Sequence, residues 1–200
     1  MKHYFVAAFL FFLSVSNVIA ETITVEILAA NGKPLKNAAL LIDKKMFPTE
    51  GNKEAIVDQV DKQFTPIVSA IALGTDVVFP NSDNIRHNVY SFSEAKTFEL
   101  KLYSDKEQPS VNFENEGIVT LGCNIHDQMV AYILVSDNYD IAVTNEQGLT
   151  ELNLTEGEKL EAITVWHHWM GDKLSQAENV VLTKKAGKLT GQVQVSPPEQ

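Results

Sequence analysis

Short alternating and apolar runs, each closed by Gly, Pro, Asn or Asp, recur along the chain and leave little helical periodicity. Ile23-Thr-Val-Glu-Ile27 alternates, Asn31-Gly32 supplies a turn, and Ala38 to Ile42 is a continuous apolar run. The polar stretch Lys44 to Asp61, with Pro48 and Gly51, reads as a connection carrying a helical turn or an edge strand, and marks a boundary. The rhythm then resumes: Ile67 to Leu73, a turn at Gly74, Asp76 to Phe79, and the loop Pro80-Asn-Ser-Asp-Asn84, with His87 where that loop re-enters a strand. Val89 to Phe92, Phe98 to Leu102, Val111 to Phe113, Ile118 to Leu121 and Val130 to Val135 complete the set. Gly117 and Gly122 break the last rise before Cys123. The pattern predicts an all-β sandwich or barrel.

The first twenty residues are set apart from that pattern. Lys2 gives a positive start, Phe5 to Val15 is almost wholly apolar, and Val18-Ile-Ala20 fits a signal-peptidase site, so cleavage after Ala20 and export to the periplasm are expected. The apolar stretch falls short of the ~20 residues of a spanning helix. Glu21 rather than Cys follows the site, so neither a membrane anchor nor a lipid anchor is expected after cleavage. The chain carries 16 Lys and Arg against 26 Asp and Glu, a formal charge of −10. Nucleic acid is therefore a poor partner, since phosphate binding needs a basic footprint. A monomer with an acidic, soluble surface is expected.

A single Cys in an exported chain cannot form an internal disulfide, so Cys123 needs another reason. Its neighbours are Gly122-Cys-Asn-Ile-His-Asp-Gln-Met129, and His87 precedes them. One thiolate, two imidazoles and a thioether form a soft donor set of the kind that holds blue copper: two His and one Cys in a plane, with a weak axial Met. Three of the donors, Cys123, His126 and Met129, sit three residues apart on a tight loop between strands, and His87 closes the set from an adjacent strand end. Copper ligation by His87, Cys123, His126 and Met129 is the expectation. Zinc is the rival metal, with Asp127 as an oxygen donor in place of Met129.

With those residues in view, the segment from about Ala55 to Val135 resembles the plastocyanin and amicyanin family of cupredoxins. The loop Cys123-Asn-Ile-His126-Asp-Gln-Met129 resembles amicyanin's in length, and His87-Asn-Val89 resembles the family's first-ligand strand. The resemblance implies a Greek-key sandwich holding one type 1 copper ion that cycles between Cu(I) and Cu(II). It also implies that Asn88 ties the two ligand-bearing segments together. Asn88, Asn124 and Asp127 are the residues expected around the ligands. Asp127 stands where many relatives have Pro, which places a carboxylate beside the solvent-edge imidazole of His126.

The flanking runs suggest a second small sandwich. Ile23 to Ala38, and Thr144 through Gly157 to Val165, resemble carboxypeptidase regulatory-like domains. The expected organisation is nested: residues 21–47 and 137–195 form the outer sandwich, residues 55–136 form the inserted cupredoxin-like one, and 196–200 is a disordered tail. A single enlarged sandwich is the alternative. Trp166-His-His-Trp-Met170 offers two more imidazoles. Consecutive strand residues face opposite sides, so His167 and His168 read as aromatic packing at a strand end rather than a second metal site. For function, electron transfer between redox proteins such as a c-type cytochrome and a periplasmic dehydrogenase is weighed against copper delivery or storage. A copper enzyme fits less well, because Gly122 and Asn124, not His, flank Cys123.

Overall fold

The computed structural model describes residues 21–43, 54–104, 108–154 and 159–197. The expected leader and cleavage site, most of the polar connection and the end of the tail lie outside the described residues. Two strands open the chain, β1 (Glu21–Leu28) and β2 (Ala39–Asp43). The middle of the chain begins with β3 (Glu54–Ile56), β4 (Asp58–Val60), β5 (Gln63–Thr65), β6 (Val68–Ile71) and β7 (Thr75–Val78). It continues through β8 (His87–Ser93), β9 (Lys96–Tyr103), β10 (Ser110–Phe113), β11 (Gly117–Gly122) and β12 (Val130–Val135). The last strands are β13 (Tyr139–Val143), β14 (Leu149–Leu154), β15 (Ala162–Trp166), β16 (Glu178–Val181), β17 (Thr183–Lys185) and β18 (Lys188–Gln192). The fold is all-β, and the helical segments among the described residues are single 3-10 turns at His168–Met170 and Leu174–Gln176.

Strands β1 and β2 find their partners at the far end of the chain. β1 lies between β14 and β18 in the sheet β14-β1-β18-β17, and β2 lies between β13 and β15 in the sheet β13-β2-β15-β16. The intervening strands form a five-stranded sheet, β6-β12-β11-β8-β9, a three-stranded sheet, β10-β7-β3, and the β4-β5 hairpin. Each set encloses its own core. Val25, Ile27, Leu40, Leu152, Ile163, Val165 and Val193 pack together in the outer sandwich. Phe64, Phe79, Phe113, Leu121 and Ile133 pack in the inner one, together with Cys123 and Met129.

A third cluster joins them: Ala39, Leu41, Val68, Ile118, Leu134 and Trp166. It explains why Ala38 to Ile42 is apolar throughout instead of alternating. Leu40 and Ile42 face the outer core, while Ala39 and Leu41 face the seam, so both sides of β2 are buried. The same holds at β11 and β12, where Val119, Leu121 and Ile133 face the inner core and Ile118 and Leu134 face the seam. One wall of the inner sandwich is thereby fixed to the outer one.

The crossing from β12 to β13 is held by one carboxylate. Glu116 Oε1 accepts hydrogen bonds from the backbone N–H of Asp137 (2.6 Å) and Asn138 (3.2 Å) and from the Ser136 hydroxyl (3.3 Å). The Asn138 side-chain amide donates to both of its oxygens, at 3.0 Å each. The Asp137 N–H does most to hold the Glu116 pKa below the usual glutamate value, against the opposing effect of burial, and the other donors add to it. A depressed carboxylate contributes stability above its unfolded pKa and loses it as pH falls through the folded one. Glu116→Ala is expected to lower the unfolding free energy by about 1–2 kcal/mol near neutral pH. The gap from wild type should narrow in urea melts below about pH 4; a gap independent of pH would exclude the charged clamp.

Candidate metal centre

The site is assembled by the end of one hairpin and the start of a neighbouring strand. β11 and β12 pair antiparallel up to Gly122↔Val130, so Cys123 to Met129 is the loop that closes this hairpin. The loop is tight: Met129 N–H donates to the His126 carbonyl at 2.9 Å, and Val130 N–H to the Gln128 carbonyl at 3.1 Å. Gly122 also pairs with Tyr90 of β8, which brings the first residue of β8, His87, beside the loop. A Cβ on Gly122 would lie 2.7 Å from the Tyr90 ring, so the close approach of the two strands depends on glycine there. Asn88 then ties them: its Oδ1 accepts the Asn124 N–H at 3.0 Å.

Within this frame the three strongest donors converge. Cys123 Sγ lies 4.0 Å from His87 Nδ1 and 3.9 Å from His126 Nδ1, and the three atoms lie within 4.8 Å of one another. These separations are long for hydrogen bonds. They match what two first-row metal–donor bonds of about 2.0–2.3 Å can span. His87, Cys123 and Met129 are buried at 0%, 2% and 1% exposure, while His126 keeps an edge toward solvent. Met129 packs in the same core cluster as Cys123. A thiol and two imidazole nitrogens within 4.8 Å of one another, with a buried Met129 in the same core cluster as the thiol, fit a soft metal ion.

The side chain that reaches the His87 imidazole was not among those singled out in the sequence. Asp83 Oδ2 lies 2.7 Å from His87 Nε2. The same carboxylate accepts the backbone N–H of Asp61 (2.7 Å) and of Lys62 (2.9 Å), the turn between β4 and β5, where both residues have positive φ (52° and 59°). Burial raises the Asp83 pKa, but the Lys62 and Asp61 N–H groups and His87 outweigh it and hold the carboxyl below the usual aspartate value. Behind Asp83 lies a buried polar network. Asn81 Oδ1 accepts the Asp83 N–H at 3.0 Å, and its amide donates to the carbonyls of Ile85 and Tyr103 at 2.9 and 3.0 Å. Gln59 donates to the Pro80 carbonyl and to the Tyr103 hydroxyl, which in turn donates to the Phe79 carbonyl. The loop before His87 is thus pinned from inside.

Asp127 is exposed, one residue beyond the half-buried His126, and the carboxylate that contacts the other imidazole, His87, comes from the Pro80–Asn84 loop. The His167–His168 expectation needs correction in its reason. β15 ends at Trp166, the chain turns into a 3-10 segment, and the two rings lie side by side with centroids 4.1 Å apart instead of on opposite faces. His167 is nonetheless fully used in structure: its Nε2 bonds to the Lys36 carbonyl at 3.1 Å and its Nδ1 accepts the Trp169 N–H. Burial, then the neighbouring His168, pushes its pKa down to about 3, so it is neutral at ordinary pH. His168 stacks on Tyr132.

Comparison with known proteins yields likenesses of shape. No family model and no curated protein matches the chain. Among solved structures it is similar to a copper-containing nitrite reductase from Thermus scotoductus SA-01 (25% identity, TM-score 0.40), over 42% of this chain and 22% of that one. It is similar to a purple cupredoxin from Nitrosopumilus maritimus (23% identity, TM-score 0.37), over 42% of this chain and all of that one. A reduced Cu(I) form of an amicyanin point mutant is similar at 16% identity and TM-score 0.39, over 49% of this chain and 98% of that one. The TM-scores are low, and the donor geometry stands without them.

If Asn88 is the tie that holds β8 to the loop, Asn88→Ala should destabilise the metal-free protein by about 1 kcal/mol, since the part-buried Asn124 N–H loses its acceptor. Chemical denaturation measures this; an unchanged midpoint would mean that the tie contributes nothing.

Proposed function

We propose that the protein is an exported, periplasmic type 1 copper protein that passes single electrons between redox partners. The observation that carries this reading is the convergence of His87 Nδ1, Cys123 Sγ and His126 Nδ1 in a pocket where only His126 reaches solvent. His87, Cys123 and His126 are the ligands proposed for one copper ion, with Met129 as the weak axial donor. When bound, the ion supplies a Cu(I)/Cu(II) couple. The chain contributes rigidity: the Asn88 tie, the short ligand loop and the pinned Pro80–Asn84 loop keep the donors in place whatever charge they face. It also contributes an edge. Ile125 is half exposed next to His126 and Val130 is exposed where the loop ends, an apolar surround through which a partner can approach the imidazole.

A carrier is favoured over a delivery protein because the four donors are divided between the start of β8 and the β11-β12 loop and three are sealed from water, a poor arrangement for handing an ion over. It is favoured over an enzyme because Gly122 and Asn124, not His, flank Cys123. A c-type cytochrome or a periplasmic dehydrogenase is the proposed kind of partner, met by a monomer.

Addition of Cu(II) to the mature protein should give an intense blue absorption and a narrow copper hyperfine splitting, and Cys123→Ser should abolish the colour while the circular dichroism stays that of a β-sandwich. Colourless, tetragonal copper in the wild type would refute the carrier and favour storage. Met129→Gln should keep the colour and lower the reduction potential, because the axial ligand tunes the couple; an unmoved potential in voltammetry would remove Met129 from the ligand set.

A further inference from the structure

We infer that Asp83 is the positioning residue for His87, and that the turn Asp61–Lys62 of the β4-β5 hairpin is the brace that holds Asp83 in place. The inference rests on the copper reading above and adds to it the device that presents the first imidazole.

The argument is one of donors and acceptors. Both oxygens of Asp83 already act as acceptors, Oδ1 from the Asp61 N–H and Oδ2 from the Lys62 N–H, so the imidazole nitrogen 2.7 Å from Oδ2 is placed as a donor. With the proton on Nε2, Nδ1, the atom that faces Cys123, is the nitrogen left to offer a lone pair. The ring is 0% exposed, so no water can take over the Nε2–H, and turning it over would leave a buried N–H without an acceptor. The carboxylate therefore fixes both the tautomer and the face that His87 offers to a metal.

Asp83 itself could rotate away if nothing else held it. The Asp61 N–H on Oδ1 and the Lys62 N–H on Oδ2 engage both oxygens, and the two successive positive φ values aim these groups at one point, as in an anion-holding nest. The hairpin is anchored in turn: Gln59 is fully buried, and Asp58 accepts the Ser82 hydroxyl at 2.7 Å and the Ser82 N–H at 3.2 Å. A short hairpin remote from the ligand loop is thus joined through one carboxylate to the first ligand.

The test combines a metal-free and a metal-loaded readout. In the metal-free, 15N-labelled mature protein, long-range proton–nitrogen correlation should find His87 as a single Nε2–H tautomer, in the wild type and in Cys123→Ser alike. In Asp83→Ala the ring should lose that single form, and Cu(I) affinity, read by competition with a chromophoric chelator, should fall about 10- to 100-fold. Asp83→Asn turns an amide NH2 toward a backbone N–H of the turn and should fall between the two; it also serves if the alanine variant does not fold. An Nδ1–H tautomer in the wild type, or Cu(I) affinity within about twofold of wild type in both variants, overturns the inference. Failure of the wild type to bind copper would refute the proposed function instead, and the tautomer measurement would still decide the role of Asp83.

Discussion

A thiol and an imidazole taken out of water need something to face, and in this protein Cys123 and His87, with the half-buried His126, converge across about 4 Å, a distance at which they bond to each other only weakly. Everything near the site serves that unsatisfied convergence. The β11-β12 ladder runs to its last pair beside the loop, glycine at position 122 lets the Tyr90 ring close against it, and Asp83 and Asn88 hold the start of β8, one through the His87 ring and the other through the Asn124 N–H. Desolvated donors of this kind are costly for the fold unless a cation joins them, which is the physical reason to read the cluster as a binding centre rather than as core packing.

The surrounding architecture turns local ties into a rigid frame. The inner sandwich is fixed to the outer one along β2, β11, β12 and β15, whose apolar residues alternate between a core and the seam. Because β11 and β12 carry the ligand loop and also form that seam, the loop hangs from the most doubly buried part of the molecule. Glu116 reinforces the same corner by gathering the chain as it leaves β12. A binding constellation is held more precisely on such a mounting than on free loops.

Much of this was legible in the residues. The alternation of Ile23 to Ile27 and the apolar runs from Ile67 to Val135 matched real strands, and Cys123, His126 and His87 come together as their types and order implied. What escaped was carried by polar residues without period. The β4-β5 hairpin hides in the tail of a polar stretch and turns on Asp61-Lys62, which lacks the Asn or Gly that usually signals positive φ, and its strands are only three residues long. Asp83 lies in an irregular loop, where spacing says nothing about direction, so its contact with His87 could not be read from the residues. At His167 the alternation rule failed because the strand stops one residue earlier, and nothing in Trp166-His-His-Trp announces a 3-10 turn. Hydrophobic periodicity reports which face is buried; it is silent on where a single carboxylate points.

The central claim is that sulfur and two imidazole nitrogens share one ion. X-ray absorption at the copper K-edge of the loaded mature protein reads this directly, and one short sulfur neighbour together with two nitrogen neighbours is the result the structure predicts. A shell of nitrogen and oxygen alone, with no sulfur at bonding distance, would contradict it.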